Sequence, residues 1–313
     1  MNHDPREPAP TAQATENANP NANSEANPLE AASAPAPAPA PAPGDEPAAI
    51  DPAMARIRVV LVGTQHPGNI GSAARAMKTM GLSRLVLAAP EKAPDRDSYA
   101  LAAGADDVLA AATVVPDLAA AVADCHFVLG CTARSRRIAL EQFDPRQAAA
   151  LCDARARAGS EVALVFGRER TGLENHELQL CHAAVHIPAN PGYSSLNLAA
   201  AVQVLSYELR MASLAASAPA AAPAPLPAAI VGDGGDRREP PASHAQMEGF
   251  FGQLGQALDA IDFHKGRTPE AAMHKLRRLF LRAQLDEREV RLLRGVLADV
   301  ERTAMLLAAA QKR

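Results

Sequence analysis

The chain has 313 residues, a net charge of −4 at pH 7 and 48% hydrophobic residues, but its charge is unevenly distributed. Residues 1–55 hold 12 of the 26 prolines and carry eight acidic residues against one arginine, a net of −7, so residues 56–313 carry +3. A proline-rich segment of this kind buries too little apolar surface to offset its ordering entropy, which predicts a disordered tail. A slightly basic folded part is compatible with a nucleic-acid ligand.

Several protein classes are excluded by the composition. No segment approaches 18 purely apolar residues and no signal-peptide pattern opens the chain, so we expect a soluble, cytoplasmic protein without a membrane partner. The four cysteines have no CxxC pairing, which favours reduced thiols and no metal site. Tryptophan is absent and aromatic residues make up 3%, which argues against a sheet that stacks RNA bases on aromatic rings.

Strand and helix patterns alternate along residues 56–212. The predicted strands are 57–63, 85–88, 114–115, 127–130, 162–166 and 185–187, and the predicted helices are 70–80, 98–111, 117–123, 148–158, 174–179 and 196–212. This alternation predicts an α/β fold, a parallel sheet with helices on both faces. Residues 213–243 are rich in Ala, Pro and Gly and are expected to form a flexible linker. Residues 244–313 then read as a small all-α domain, with helices at 246–261, 269–283 and 286–310.

A glycine-rich loop and the start of a helix follow the first strand, with the sequence GNIGSAAR at Gly68–Arg75. Asn69 is a good helix cap, and Arg75 lies further along the same helix, where it could clamp a phosphate. From these residues alone, an ordinary cap and a solvated arginine are equally good interpretations.

A second loop places three consecutive charged residues, 168–170, directly after the strand that ends at Phe166. Gly167 and Gly172 bracket these charges and indicate a shaped backbone. Because ligands bind at the carboxyl ends of strands in α/β sheets, we favour a functional role over a loop whose charges only maintain solubility.

A third loop contains two prolines and a glycine within residues 188–192, so the next helix can start only near Ser194 or Ser195. Either serine could cap that helix, whose N-terminus favours a negative ligand group. Asn197 would then project from the first turn, and the alternative is that Asn197 is bonded only locally.

A fourth segment, Gly130–Ala133, follows another strand and is small enough for a flat ring to lie against its backbone. Arg134, Arg136 and Arg137 follow as a basic cluster suited to a phosphate backbone. A solvated basic loop is a serious alternative for these three arginines.

The three main loops together resemble the signature motifs of the SPOUT methyltransferases. The runs 74–81, 102–108, 132–136 and 275–280 further resemble the bacterial tRNA (cytidine/uridine-2′-O)-methyltransferases of that superfamily. The resemblance covers residues 56–212 closely and 244–300 more loosely. It implies a C-terminal trefoil knot in the α/β domain, an S-adenosylmethionine site built from the knot loops, and a homodimer. It also implies methylation of the ribose 2′-hydroxyl of the pyrimidine nucleotide at position 32 of the tRNA anticodon loop.

The same resemblance assigns roles to individual residues. Cofactor contacts, largely through the backbone, fall to Cys131, Thr132, Ala133, Gly167, Ile187, Ser194, Ser195 and Leu196. The reaction site would comprise Asn69, Arg75, Glu169, Ser195 and Asn197, with Arg75 reaching the target from the neighbouring subunit. Cys131 stands where threonine or a similar small residue is expected, a change that backbone contacts should tolerate.

The implied chemistry depends mainly on alignment, because the sulfonium methyl is already activated while a ribose hydroxyl is a weak nucleophile. A guanidinium with a pKa above about 12 is a poor base, so we expect Arg75 to hold the phosphate and ribose and to stabilise developing oxyanion charge. Two alternatives remain: an rRNA ribose methyltransferase of the same superfamily, and a non-catalytic RNA-binding factor with this fold. The second is disfavoured because a protein that only binds RNA does not need all four polar residues of the motifs, Asn69, Arg75, Ser195 and Asn197.

One face of the middle C-terminal helix carries Lys275, Arg278 and Arg282 at i, i+3 and i+7 spacing. This basic face is expected to bind tRNA through sequence-independent phosphate contacts. The alternative, a solvated face in a dimerising helical bundle, is equally compatible with the pattern.

Overall fold

The structure is a computed structural model that describes residues 51–133, 140–217, 239–266 and 268–311. The predicted tail up to residue 50 and most of the predicted linker, 218–238, lie outside the described residues. Arg134, Arg136 and Arg137 of the fourth segment also lie outside them.

Seven parallel strands form one sheet, as the alternating pattern predicts. The strands are β1 (Ile57–Val62), β2 (Arg84–Ala88), β3 (Thr113–Val115), β4 (Phe127–Cys131), β5 (Gln142–Phe143), β6 (Val162–Phe166) and β7 (Ala183–Val185), and their order is β3-β2-β1-β6-β4-β7-β5. Every residue of β1 and β6 is buried, because these strands lie inside the sheet and are covered on both faces. The strand order runs β3-β2-β1 on one side and continues with β6, β4, β7 and β5 on the other, so it reverses next to β1. Because all strands are parallel, the loops after β1, β4, β6 and β7 emerge at one carboxyl edge of the sheet.

Helices cover both faces of the sheet. They are α1 (Pro67–Thr79), α2 (Arg96–Ala102), α3 (Asp106–Ala110), α4 (Leu118–Val122), α5 (Pro145–Arg157), α6 (Asn175–Leu178) and α7 (Leu198–Ser217). Val59 and Leu61 face one apolar core with α1, α5 and α7, while Val60 and Val62 face a second core with α4 and α6. Each such fully buried aliphatic side chain contributes about 1.5–3 kcal/mol to folding.

Several predicted boundaries differ from the structure. The predicted helix 98–111 is two helices, α2 and α3, because Ala103 and Gly104 have φ angles of 45° and 93° and break the helical path. The first helix begins at Pro67 rather than residue 70, since proline is well suited to the first helical turn. The last strand lies at 183–185 rather than 185–187, and the two-residue β5 was not predicted. Helix α7 continues to Ser217, five residues beyond its predicted end and into the predicted linker.

The trefoil knot stays a prediction. Strand β7 pairs with both β4 and β5, so the chain returns between two strands formed earlier. Residues 134–139, which connect β4 to β5, lie outside the described residues.

Three C-terminal helices, α8 (His244–Ala260), α9 (Pro269–Ala283) and α10 (Glu287–Gln311), follow the described α/β part. Phe250 and Phe251 of α8 are buried in the apolar core between these helices. The rings of Phe250 and Phe280 meet edge to face with centroids 4.8 Å apart. The start of α8 is joined to the α/β part by two backbone hydrogen bonds. His244 N–H donates to the carbonyl of Cys125 over 2.8 Å, and Ala245 N–H donates to that of Ala123 over 2.9 Å.

Two histidines near this joint are held neutral by backbone donors. The N–H of Glu161 donates to Nδ1 of His126 over 2.9 Å, and the N–H of Val128 donates to Nδ1 of His182 over 3.1 Å. Burial lowers the pKa of His126. Burial, together with the charges of His244, Arg155 and His126, lowers the pKa of His182 to about 3. Each histidine therefore binds its proton more readily in the unfolded chain than in the folded protein.

The folded protein should lose stability in mild acid for this reason. Between pH 7 and pH 5 the two histidines become protonated in the unfolded chain but stay neutral in the folded protein. The free energy of unfolding should therefore fall by at most about 1.4 kcal/mol per pH unit per histidine. Replacing both (His126→Asn, His182→Asn) should flatten this dependence, because asparagine can accept the same backbone bond without titrating. Replacing the exposed His176 by Asn should leave the pH slope unchanged. Urea titrations across this range measure it, and equal slopes in all three proteins would contradict the assignment.

Candidate active site

A pocket opens at the carboxyl edge of the sheet, where the loops after β4, β6 and β7 meet the first turn of α7. The structure brings all eight residues predicted for the cofactor to this one pocket: Cys131, Thr132, Ala133, Gly167, Ile187, Ser194, Ser195 and Leu196. Sequence positions more than 60 residues apart therefore share one lining. Glu169, predicted for the reaction site, lines it too.

The wall formed by the loop after β6 has room for backbone only. A Cβ on Gly167 would lie 2.2 Å from the carbonyl carbon of Gly172 and from the backbone nitrogen of Leu173. The N–H of Gly172 donates to the carbonyl of Arg168 over 2.8 Å and closes the turn. Glycine at 167 thus leaves a backbone-lined surface against which a flat ligand can lie.

Cys131 ends β4, where its backbone pairs with Phe166 and Val185 of the neighbouring strands. Burial raises the pKa of its thiol to about 12, so the side chain is a neutral, small, largely apolar group. The other three cysteines are buried, and none of the four forms a disulfide. Cysteine in place of threonine therefore changes little in this lining, since the strand fixes the backbone.

A chain of hydrogen bonds joins the three main loops beside the pocket. The carboxylate of Glu169 accepts from Gln65 N–H over 3.0 Å, from His66 N–H over 3.2 Å and from Asn69 Nδ2 over 2.9 Å. Asn69 Oδ1 in turn accepts from Asn197 Nδ2 over 3.1 Å. Residues from the loops after β1, β6 and β7 are thereby fixed relative to one another.

Asn69 does not cap α1, contrary to the sequence-based expectation. Helix α1 begins at Pro67, and His66 at the cap position makes no side-chain cap hydrogen bond. The carboxylate of Glu169, from a different loop, instead accepts the backbone N–H groups of Gln65 and His66, the two residues that precede the helix. A negative charge there is also favoured by the helix dipole.

Glu169 stays ionised in this position. Burial raises the pKa of its carboxyl group, but hydrogen bonds from Asn69 and from backbone N–H groups of Gln65 and His66 outweigh burial, so the net pKa lies below its ordinary value. An ionised Glu169 acts as a hydrogen-bond acceptor for the loops and not as a proton donor.

Asn197, and neither serine, caps α7. Its Oδ1 accepts from Ala199 N–H over 2.9 Å and its carbonyl accepts from Ala201 N–H over 3.0 Å. The expectation that Ser194 or Ser195 caps this helix is therefore wrong, since the irregular loop extends three residues further. Both serines are exposed in the pocket lining, which leaves their hydroxyl groups accessible to a ligand.

Arg75 lies apart from this assembly within one chain. It is exposed on α1 and does not belong to the pocket lining, and its guanidinium forms no hydrogen bond or ion pair with any residue in the described ranges. The structure thus brings together Asn69, Glu169, Ser195 and Asn197 but leaves Arg75 facing solvent.

The three consecutive charges of the second loop have different surroundings. Arg168 pairs with the buried carboxylate of Glu177 at 2.9 Å and with Glu174 at 3.6 Å, so it shapes the loop. Arg170 is exposed. Sequence reasoning missed two lining residues of α7, Leu198 and Ala201, although their i, i+3 spacing on the pocket side of a new helix is a usable signal.

The basic face of α9 borders a second cleft, between α9 and the part of the sheet that contains β5 and β7. Lys275, Arg278 and Arg282 all line it. Arg278 is half-buried, and this burial lowers the pKa of its guanidinium. The face therefore borders the α/β part at Arg278, while Lys275 and Arg282 remain exposed at the cleft.

Two protein-family models match the parts of the chain that form this arrangement. The model of the SpoU rRNA Methylase family matches residues 56–207, and that of the TrmJ tRNA methyltransferase C-terminal domain matches residues 245–309. A Pseudomonas aeruginosa protein named tRNA (cytidine/uridine/adenosine-2′-O-)-methyltransferase TrmJ is 47% identical over 250 residues, which cover 80% of this chain and 95% of that protein. The chain belongs to the TrmJ family.

Two further TrmJ proteins agree with this assignment. The tRNA (cytidine/uridine-2′-O-)-methyltransferase TrmJ of Salmonella typhimurium is 48% identical over 249 residues, covering 79% of this chain and 97% of that protein. The crystal structure of TrmJ from Z. mobilis superposes with a TM-score of 0.65 at 34% identity, covering 78% of this chain and 98% of that one. The two family models together span the pocket, the hydrogen-bond chain and nearly all of α8–α10.

Two features typical of other classes of protein, a membrane-spanning helix and a metal-binding cluster, were not found among the described residues. Among the described helices, none is long and apolar enough to span a bilayer. Within the same ranges, no group of three or more His, Cys, Asp or Glu side chains is arranged to hold a metal ion.

Replacing Glu169 with alanine should lower the free energy of unfolding by about 1–3 kcal/mol, because three hydrogen bonds to a charged acceptor are lost. The neighbouring, exposed Arg170→Ala should change it by less than about 0.5 kcal/mol. Because the pKa of Glu169 is lowered, the difference between wild type and Glu169→Ala should hold above pH 4.5, the ordinary value, and shrink as the pH falls below it. Urea denaturation at several pH values measures this, and a Glu169→Ala protein as stable as Arg170→Ala would contradict the role of the carboxylate.

Proposed function

We propose that this TrmJ-family chain is an S-adenosylmethionine-dependent methyltransferase that modifies the ribose 2′-hydroxyl of the pyrimidine nucleotide at position 32 of the tRNA anticodon loop. The observation that carries the proposal is that the loops after β4, β6 and β7 converge on one pocket. Beside this pocket, Glu169, Asn69 and Asn197 are hydrogen-bonded in series. The names of the P. aeruginosa and S. typhimurium relatives support tRNA as the substrate.

The pocket fits S-adenosylmethionine. At Gly167 the lining has no side chain, because the loop after β6 folds back so closely that a Cβ would collide with the backbone of Gly172 and Leu173, and small side chains continue the lining at Cys131 and Ala133. Backbone groups of residues 131–133, Ile187 and Leu196 would hold the flat base, with Ser194 and Ser195 offering hydroxyl groups. When bound there, the cofactor supplies an activated methyl group on a sulfonium.

The protein's own contribution is alignment and charge stabilisation. Ser195 and Asn197 border the pocket on the side of the hydrogen-bond chain, where they can hold the ribose in line for attack. Glu169 and Asn69 are positioning residues, because they fix Asn197 and the start of α1. Arg75 would bind the phosphate of the target nucleotide and stabilise negative charge that develops on the 2′-oxygen.

A homodimer would complete the site, because Arg75 does not reach the pocket of its own chain. Helix α7 exposes Tyr207, Met211 and Leu214 at i, i+4 and i+7, with exposed fractions of 48%, 45% and 47%. An apolar stripe of this kind is expected to be covered by a partner. It belongs to the helix that packs against α1, which carries Arg75, so a second copy on this surface would bring its own α1 close to the stripe.

The residues that grip tRNA are proposed on charge. Lys275, Arg278 and Arg282 of α9 would contact phosphates, as would Arg134 and Arg136, which lie outside the described residues. We also propose that residues 56–212 form the methyltransferase domain and residues 244–313 a tRNA-binding domain that supports the dimer, after the acidic tail and linker.

The proposal is tested by methylation of tRNA transcripts that carry cytidine or uridine at position 32. Radioactive methyl transfer, followed by mass spectrometry of nuclease fragments, should place one methyl group on that nucleotide. A transcript with a 2′-deoxyribose at position 32 should accept none. Methylation of ribosomal RNA instead would favour the rRNA alternative, and absence of transfer with every RNA would favour a non-catalytic RNA-binding factor.

Gly167→Ala should weaken S-adenosylmethionine binding at least about tenfold, because the added methyl group collides with the backbone of Gly172 and Leu173 and forces the loop that lines the pocket to shift. Gly192→Ala is the matched control, since a Cβ there meets only Asn190 at an ordinary 3.5 Å. Isothermal titration calorimetry gives both affinities, with thermal unfolding to verify the fold. Equal affinities of the two folded variants would move the cofactor away from Gly167.

Arg75→Ala should abolish methyl transfer and leave S-adenosylmethionine affinity unchanged. If Arg75 acts across the dimer, mixing Arg75→Ala subunits with Gly167→Ala subunits should restore about a quarter of wild-type activity, because each mixed dimer contains one intact site. At a cofactor concentration well below the dissociation constant of the Gly167→Ala protein, each variant alone should transfer little or no methyl group. Failure of the mixture to regain activity, with subunit exchange verified, would place Arg75 in the site of its own chain or outside the mechanism.

A further inference from the structure

The second cleft lies between α9 and the part of the sheet formed by β4, β5 and β7, away from the cofactor pocket. Its lining includes five cationic side chains, namely Arg155 from α5 and Lys275, Arg277, Arg278 and Arg282 from α9. Among the described residues that line it, Glu141 is the one carboxylate. Arg277 is engaged elsewhere, because it binds Glu248 of α8 over 2.9 Å and stacks on Phe251. The lining therefore contains more cationic than carboxylate side chains, and the cations come from both α5 and α9.

Arg155 forms the wall that belongs to the α/β part. Its guanidinium carbon lies 4.3 Å from the centroid of the Phe127 ring, a cation–π contact that limits its conformations. An arginine oriented in this way loses less entropy when it binds an anion than a freely rotating one. Opposite it, Arg278 is half-buried on α9, and Lys275 and Arg282 flank it with more exposed side chains.

His182 adds a neutral donor to the same cleft. Because its Nδ1 accepts the N–H of Val128 over 3.1 Å, the proton of the neutral ring must sit on Nε2. The lining thus combines guanidinium, ammonium and imidazole N–H groups, all donors that a phosphate oxygen accepts from.

We propose that this cleft binds a backbone phosphate of the RNA substrate, with Arg155 of the α/β part as a phosphate-binding residue opposite α9. The inference rests on the proposed function, since it takes tRNA as the polyanion, and it extends that function to a residue outside the C-terminal helices. A phosphate held between the two walls ties α9 to the α/β part, so bound RNA fixes the C-terminal helices relative to the cofactor pocket. A contact of this kind adds affinity without sequence preference.

The test compares Arg155→Gln with Arg146→Gln in the full-length protein. Both arginines belong to α5, but Arg146 is 85% exposed and pairs with Glu208 of α7, away from the cleft. Arg155→Gln should weaken tRNA binding about three- to tenfold and reduce the slope of log affinity against log salt by about one. Arg146→Gln should stay within about twofold of wild type, and S-adenosylmethionine affinity should be unchanged in both.

A second variant guards against a folding defect in Arg155→Gln. Glu141 is exposed, so Glu141→Gln should fold normally and, by removing the carboxylate from the cleft, tighten tRNA binding about two- to threefold. Fluorescence anisotropy with labelled tRNA at several salt concentrations measures all variants. Unchanged affinity in a folded Arg155→Gln protein, or in Glu141→Gln where Arg155→Gln does not fold, would overturn the proposal.

The two levels of inference fail in different ways. If wild type methylates tRNA while Arg155→Gln binds it with wild-type affinity and salt slope, the cleft is wrong and the proposed function stands. If wild type binds tRNA and Arg155→Gln weakens that binding, but no RNA is methylated, the proposed function fails and the phosphate site stands.

Discussion

The carboxylate of Glu169 accepts two backbone N–H groups at the start of α1 and the amide of Asn69, which in turn accepts a hydrogen bond from Asn197. This single acceptor therefore connects loops that follow three different strands. Its negative charge lies next to the residues that precede α1, where the helix dipole favours it. If it were removed, partly buried N–H groups would lose their partner, and the loops that form the pocket would lose their fixed relation. The geometry of the site therefore depends on the carboxylate of Glu169, which itself lines the pocket.

The parallel sheet makes such a contact possible. Strands β1 and β6 are adjacent and in register, with Leu61 opposite Phe166, so the loops that follow them leave the sheet side by side. Gly167 lets the second loop fold closely on itself, and Arg168 is then held by Glu177, which leaves Glu169 to face α1. The apolar core thus determines where the polar groups meet, and the polar groups determine how the loops close. Binding at the carboxyl edge follows from this arrangement, as in other α/β folds.

The sequence was sufficient for the parallel α/β sheet and for the glycine-rich loops at its carboxyl edge, because strands that are apolar throughout and glycine-rich loops leave local signals. Motif resemblance also selected all eight lining residues attributed to the cofactor. What it could not provide were the partners across loops. Asn69 and the serines at 194–195 look like helix caps in sequence, yet Asn69 lies inside α1 and donates to Glu169, 100 residues away, and Asn197 caps α7. Likewise, the sequence leaves open whether the basic face of α9 binds RNA or is only solvated, and only tertiary packing places it in one cleft with Arg155.

The claim that three loops build one cofactor site is tested most directly by a crystal structure of the protein with S-adenosylhomocysteine. Our account predicts that the ligand lies against the backbone of residues 131–133, Gly167 and residues 194–196, with the Glu169–Asn69 and Asn69–Asn197 hydrogen bonds intact. It also predicts that Arg75 of the second subunit approaches the sulfur side of the ligand. A ligand bound elsewhere, or one bound in this pocket with Glu169 and Asn69 separated, would contradict the account.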